Sequence, residues 1–141
     1  MLDKKWFLIF FCWIFSTIST LGSLFFSYVM GLPPCSLCWY QRIFMYPLVL
    51  IFVTALFFPD RSVLKFSIPI VVSGWIIAFY HNLLYYKILP ESASPCIQGI
   101  SCTTIQLQWL GFITIPLLSL LGFSLILSTL LLLNREFNIE K

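Results

Sequence analysis

The sequence predicts an all-α membrane protein, a four-transmembrane-helix bundle with two outward-facing redox loops. Of its 141 residues, 60% are hydrophobic and only 9% are charged, whereas an ordinary soluble domain carries about 25% charged residues. Four apolar runs are long enough to cross a bilayer as helices, which takes about 20 residues each. Two close pairs of cysteines lie between these runs. The composition therefore excludes an ordinary soluble domain and directs attention to the cysteine loops.

The four predicted spans are residues 6–30, 39–58, 66–86 and 109–133. The first run is longer than the core of a signal peptide and has no Ala-x-Ala cleavage site, so we interpret it as a span rather than a removed signal. Pro47 is expected to kink the second span, and Gly74 is expected to let a neighbouring helix approach the third. No repeat, linker or low-complexity segment divides the chain. Residues 1–141 are therefore predicted to form a single integral membrane domain.

The basic residues predict the orientation, because Lys and Arg concentrate on the cytoplasmic side of membrane proteins. One side of the predicted bundle carries six of them and the other carries two: Lys4, Lys5, Arg61, Lys65, Arg135 and Lys141 against Arg42 and Lys87. We therefore predict a multi-pass protein of the plasma membrane with both termini cytoplasmic and both cysteine pairs extracytoplasmic. Its surroundings are membrane lipid. Nucleic-acid binding has no support, because the net charge is only +3 and the basic residues form no patch.

Two predicted loops, residues 31–38 and 87–108, carry the pairs Cys35/Cys38 and Cys96/Cys102. If a helix begins near Leu37, Cys38 lies in its first turn, where the helix dipole favours a reactive thiolate. Both pairs face the side of the membrane on which disulfides persist. Two cysteine pairs on one oxidising side are what a dithiol relay requires.

Two other uses of the cysteines compete with a relay. A Cys₄ zinc site is disfavoured because the second pair has five intervening residues rather than two and the compartment is oxidising, so no metal is assigned. Structural staples are disfavoured because each bridge would close a very short loop and stabilise little. Short, exposed bridges are instead the kind that exchange with other thiols. A non-catalytic, cysteine-rich metal-binding or scaffold protein remains the alternative from a different class.

A relay needs an electron acceptor, and polar residues within the spans indicate where it binds, because charge at that depth is costly. Arg42 and His81 lie near the outward ends of the second and third spans and can converge beside Cys38. Such donors suit an aromatic acceptor with two carbonyl oxygens, for which Trp39 can form a wall. The alternatives are a packing histidine and an arginine that snorkels to the head groups. These residues do not identify the acceptor.

Residues 34–42, which read Pro-Cys-Ser-Leu-Cys-Trp-Tyr-Gln-Arg, are followed by His81, the second cysteine pair and the Trp-Leu-Gly-Phe-Ile-Thr-Ile-Pro segment at 109–116. In this order and spacing the chain resembles the DsbB family of disulfide-forming membrane proteins, and most of all its BdbC-type members from Gram-positive bacteria. The resemblance implies a thiol oxidase that uses a membrane quinone, menaquinone or ubiquinone. It also implies a partner, a secreted or membrane-anchored thioredoxin-fold thiol oxidase of the DsbA or BdbD kind.

By position, the resemblance implies that electrons pass from Cys96/Cys102 to Cys35/Cys38 and then to the quinone, with the partner's thiolate attacking Cys96. It places Arg42 and His81 at the quinone. A related enzyme that runs the same chemistry in the reductive direction stays open. Two features depart from the family pattern. Gln41 stands where many proteobacterial relatives have a glutamate, and the loop between the second pair of cysteines is much shorter.

Overall fold

The structure, a computed structural model, describes residues 2–90, 92, 108–109 and 113–139. It contains four helices and two short strands: α1 (Leu2–Tyr28), α2 (Ser36–Phe57), α3 (Ser62–Tyr85), β1 (Gln108–Trp109), β2 (Ile113–Thr114) and α4 (Ile115–Ile139). Within this described part of the chain, all four helices are long and apolar enough to cross a membrane. The predicted four-helix membrane fold is confirmed.

The helices form a closed ring in which α1 packs on α2 and α4, and α3 packs on the same two helices. Large side chains such as Phe52 and Phe123 fill the middle of this ring and are almost fully buried. The outward faces carry exposed apolar side chains, among them Phe7, Ile18 and Leu50. A helix that satisfies its own backbone hydrogen bonds and presents apolar side chains outward is suited to hydrocarbon.

Gly74 sets the contact between α3 and α4. A Cβ added at Gly74 would collide with the ring of Phe123, so only glycine lets this ring lie against the backbone of α3. One residue along each helix, Trp75 Nε1 donates a hydrogen bond of 2.9 Å to Ser124 Oγ. The close helix approach that Gly74 predicted is confirmed.

The first cysteine loop is shorter than predicted, because α2 begins at Ser36 and Cys38 already lies within it. Gly31 follows α1 with a φ of +65°, a left-handed conformation that glycine adopts readily, and the N–H of Leu32 donates to the carbonyl of Phe26 in the last turn of α1 at 3.0 Å. Two prolines then follow, and Cys35 caps α2 by accepting the N–H of Cys38 at 3.4 Å. The loop predicted at 31–38 therefore ends at Cys35.

The fourth helix begins at Ile115 rather than at about residue 109, so that boundary was wrong. Trp109 lies instead in β1, where it pairs with Ile113. Pro116 stands in the first turn of α4, where its missing N–H costs nothing, and Thr114 Oγ1 accepts the N–H of Leu117 at 3.4 Å. The start of α4 therefore has a proline in its first turn and a capping hydroxyl from Thr114.

Two contacts gather basic residues at the end of the bundle opposite Cys35. Lys5 Nζ lies 4.3 Å from the centre of the Phe137 ring, and Arg61 Nη2 donates to Asn138 Oδ1 at 2.6 Å. The start of α1, the turn between α2 and α3 and the end of α4 therefore meet there. We expect this end to be cytoplasmic, as the charge count predicts.

Candidate active site

The first cysteine pair lies at the start of α2, with the two Sγ atoms of Cys35 and Cys38 2.9 Å apart. Cys35 is buried and Cys38 is half-buried. The second pair, Cys96 and Cys102, lies outside the described residues, so its exchange with the first pair stays a prediction.

The surroundings of Cys35 lower the pKa of its thiol. A hydrogen bond from the Cys38 thiol, helped by His81, lowers the pKa of Cys35 to about 4, although burial opposes this. The sequence predicts a reactive thiolate on Cys38, which lies in the first turn of α2, and the position of the thiolate stays a prediction. Cys35 caps α2, where its sulfur accepts the N–H of Cys38, and the two sulfurs are close enough for either one to donate a hydrogen bond to the other.

A chain of hydrogen bonds supports Cys35 from three helices. His81 Nε2 lies 3.8 Å from Cys35 Sγ, and His81 Nδ1 lies 3.0 Å from Gln41 Nε2. The amide oxygen of Gln41 accepts the hydroxyl of Ser119 at 2.6 Å. His81 lies beside the cysteine pair, as predicted, since one of its ring nitrogens and the two sulfurs lie within 4.8 Å of one another. Its contact with the acceptor stays a prediction. Sequence reasoning did not find Ser119, which is one of many serines in the spans.

A cavity of about 470 Å³ lies between α1, α2 and α4. Its wall is mainly apolar and includes Cys38, Gln41 and Arg42, so one residue of the reactive pair lines the open space. Of the three predicted cofactor-binding residues, all of which the structure describes, only Arg42 lines this cavity. Trp39 is about half exposed and lies outside the lining, with its ring centre 5.3 Å from Arg42 Cζ. The aromatic lining comes from α1, α2 and α4.

Arg42 is held by α1 and does not reach for the head groups. Its Nε donates to Ser23 Oγ at 2.8 Å and its Nη2 to Ser23 O at 3.0 Å, and Nη2 also donates to Ser27 Oγ. The side chain is 9% exposed. Ser23 and Ser27 are four residues apart and so share one face of α1. That spacing within an apolar span was a signal that sequence reasoning did not use.

Tyr46 is a further residue of the cavity wall that sequence reasoning missed. Among the described residues, its hydroxyl is one of three buried side-chain polar atoms without a hydrogen-bond partner. Tyr46 follows Arg42 by four residues and Cys38 by eight, and this spacing puts all three on one face of α2. The wall therefore offers a sulfur, a cation and an unused hydroxyl in a row.

The same site also presents metal-binding atoms. The sulfurs of Cys35 and Cys38 and a ring nitrogen of His81 all lie within 4.8 Å of one another. Thiolate and imidazole ligands suit soft or borderline ions such as Zn²⁺. This cluster gives the metal-binding alternative a definite location, which an experiment has to address.

Comparison with known proteins matches nearly the whole chain. A family model described as "Disulfide bond formation protein DsbB" matches residues 4–133. The "Disulfide bond formation protein C" of Bacillus subtilis is 43% identical over 124 residues, which cover 88% of this chain and 90% of that protein. A "Probable disulfide formation protein" of Metapseudomonas resinovorans is 38% identical over 132 residues, which cover 93% and 92%. No solved structure gives a significant match.

Proposed function

Because the chain belongs to the DsbB family of disulfide bond formation proteins, we propose that it is a quinone-dependent thiol oxidase that re-oxidises a thioredoxin-fold disulfide donor outside the cytoplasm. Membership makes the chain a membrane disulfide oxidoreductase. The finer proposal is carried by one observation, the sulfur of Cys38 on the wall of an apolar cavity that also contains Arg42.

The cavity fits a membrane quinone. Its volume of about 470 Å³ lies within the usual range of roughly 300–1,000 Å³ for small-molecule sites. An apolar wall suits a lipid-soluble ring, and the cation of Arg42 and the unpartnered hydroxyl of Tyr46 suit carbonyl oxygens. A bound quinone would supply an acceptor for two electrons and two protons.

Within the pair, the two cysteines have different surroundings. Cys38 lines the cavity, whereas Cys35 lies against His81. We propose that the reduced pair is oxidised as a bond forms between Cys35 Sγ and Cys38 Sγ, with two electrons and two protons leaving for the acceptor that the cavity would hold. In the full cycle the partner's dithiol loses two electrons and two protons, and the quinone gains both as quinol. The chain itself returns to its starting state.

The second pair and the partner complete the proposal. Cys96 and Cys102 receive electrons from the partner and pass them to Cys35 and Cys38 by thiol–disulfide exchange. The partner is a secreted or membrane-anchored thioredoxin-fold protein of the DsbA or BdbD kind. Both pairs lie outside the cytoplasm and both termini inside, in the plasma membrane.

A turnover assay tests the proposed function. The purified protein in detergent is mixed with ubiquinone or menaquinone and an excess of reduced thioredoxin-fold partner. We expect quinone absorbance to fall while partner thiols disappear, at one quinone per disulfide formed, because each disulfide releases two electrons. Cys12→Ala is the matched control, since it removes a thiol that is fully buried in the core and away from the site.

The alternative functions give different outcomes in the same assay. A metal-binding protein takes up about one zinc ion at Cys35, Cys38 and His81 and shows no turnover. A reductive enzyme leaves the dithiol unchanged and instead reduces the partner's disulfide when quinol is supplied. Either result would overturn the proposed oxidation.

Tyr46→Phe should weaken quinone binding without destabilising the protein. The hydroxyl makes no hydrogen bond within the described structure, so its removal costs no protein contact and relieves a buried polar group. One neutral hydrogen bond to a ligand contributes about 0.5–1.5 kcal/mol, which corresponds to a roughly 2- to 12-fold rise in apparent KM for quinone. Quinone titrations and a thermal melt without quinone measure the two effects.

A matched variant separates the hydroxyl of Tyr46 from its ring. Tyr40→Phe removes a hydroxyl from a residue of α2 that is about half exposed and does not line the cavity, and we expect its KM to stay unchanged. If Tyr46→Phe binds quinone as the wild type does but melts at a lower temperature, the hydroxyl has a structural partner and plays no part in binding.

A further inference from the structure

We propose that Gln41 is a positioning residue that holds His81 in the tautomer with its proton on Nε2, directed at Cys35. The proposal rests on the proposed function, since it takes Cys35 as a member of the reactive pair. It assigns a task to a residue whose amide can neither gain nor lose a proton near neutral pH. Gln41 acts through His81.

Two distances orient the amide of Gln41. Its Oε1 lies 2.6 Å from Ser119 Oγ, a separation typical of an O–H···O bond and short for an N–H···O bond. Ser119 is therefore the donor in this contact, and the amide oxygen is the acceptor. The amide nitrogen then faces His81 Nδ1 at 3.0 Å.

The orientation of the amide fixes the protonation of the imidazole. An amide nitrogen can only donate, so His81 Nδ1 must accept and carries no proton. The single proton of the neutral ring lies on Nε2, which is 3.8 Å from Cys35 Sγ. His81 thus donates to the sulfur of Cys35.

Burial makes this arrangement persistent. Gln41 is 7% exposed and His81 is 2% exposed, so water does not compete for the three contacts, and an unpaired polar group there would be costly. The N–H on Nε2 then faces the sulfur of Cys35, so His81 acts as a hydrogen-bond donor to that sulfur.

A carboxylate at position 41 would reverse the direction of the contact. It cannot donate, so His81 Nδ1 would have to carry a proton and donate to it. Gln41→Glu replaces the amide nitrogen with an oxygen in a side chain of nearly the same shape. It therefore tests the direction of the hydrogen bond to His81 rather than the volume of the side chain. Many proteobacterial relatives have a glutamate at this position. Gln41 requires His81 Nδ1 to accept a hydrogen bond, whereas a glutamate requires the same nitrogen to donate one.

Nitrogen NMR of the reduced protein labelled with [¹⁵N]histidine measures the tautomer directly. The chain has a single histidine, so the two ring signals belong to His81. We expect a protonated Nε2 and an unprotonated Nδ1 in the wild type. In Gln41→Glu we expect the Nδ1 signal to move to the protonated region. A protonated Nδ1 in the wild type, or an unchanged Nδ1 in Gln41→Glu, would overturn the proposal.

A control separates the action of Gln41 from helix packing. Ser124→Ala removes a different hydrogen bond between α3 and α4, the one from Trp75 Nε1, and should leave both ring signals unchanged. A changed tautomer in Ser124→Ala would show that packing sets it and would count against Gln41. The samples contain neither quinone nor partner, so the tautomer result and the turnover assay succeed or fail separately.

Discussion

Replacing Cys38 with serine should lower quinone-dependent turnover by about 10³-fold or more, because enzymes respond on at least this scale to the loss of a residue that takes part in the reaction. Cys38 is the member of the pair that lines the cavity. A serine oxygen cannot form the disulfide with Cys35, so the variant has no group that can release two electrons together. Quinone absorbance with excess reduced partner measures the loss.

Two further measurements show whether that loss has the proposed cause. The Cys38→Ser protein should still bind quinone, because the arginine and the apolar wall remain. Its Cys35 thiolate should still exchange with disulfides, so mixed disulfides through Cys35 should accumulate and be visible on a non-reducing gel. Cys12→Ala should turn over near the wild-type rate. Comparable losses in Cys12→Ala and Cys38→Ser would mean that any thiol deletion harms the fold, and the assignment of Cys38 would fail.

The fold could be predicted from the sequence because hydropathy along the chain largely determines which segments can cross a membrane. Each span must satisfy its own backbone hydrogen bonds in hydrocarbon, and helices of about 20 apolar residues do so. The helix ends were less predictable, because capping contacts decide them. Cys35 starts α2 with its own sulfur, and Thr114 with Pro116 starts α4 after a pair of two-residue strands.

The site was predictable only where its residues are neighbours in sequence. About one helical turn separates Cys35 from Cys38, and another separates Cys38 from Arg42. This spacing alone indicated a redox pair beside a cation. The serines of α1 that hold Arg42, and Ser119 of α4, come from other helices. Their roles depend on how the four helices are ordered around the ring, which hydropathy does not encode. For the same reason the sequence did not show that His81 contacts Gln41.

Arg42 is the second residue whose substitution we expect to lower turnover strongly. Two possible roles of its charged side chain predict different results when lysine replaces it. An arginine that only anchors α2 at the membrane surface can be replaced by lysine, because a flexible cation reaches the head groups equally well. The contacts argue against this role. The guanidinium is 9% exposed and binds Ser23 through two of its nitrogens, a use of the planar group that lysine cannot reproduce.

We therefore expect Arg42→Ala to lower quinone-dependent turnover by about 10²-fold and Arg42→Lys by less, with weaker apparent affinity for quinone in both. A preorganised group that stabilises developing charge contributes about 2.7–4 kcal/mol when an oxyanion-hole donor is the guide, and the 10²-fold loss lies at the lower end of that range. Thiol exchange between Cys96/Cys102 and the partner should be largely kept, since that step precedes the cavity.

Steady-state rates across a quinone titration separate the two explanations of Arg42. Arg61→Ala is the matched control, because Arg61 contacts Asn138 at the opposite end of the bundle and its loss should leave both turnover and affinity near wild type. If the Arg42→Lys protein has the turnover and quinone affinity of the wild type, Arg42 only anchors α2 at the membrane surface. A loss in Arg42→Lys that exceeds the effect of Arg61→Ala would instead assign the function to the fixed donor geometry that Ser23 and Ser27 impose, because the charge is the same in both side chains at position 42.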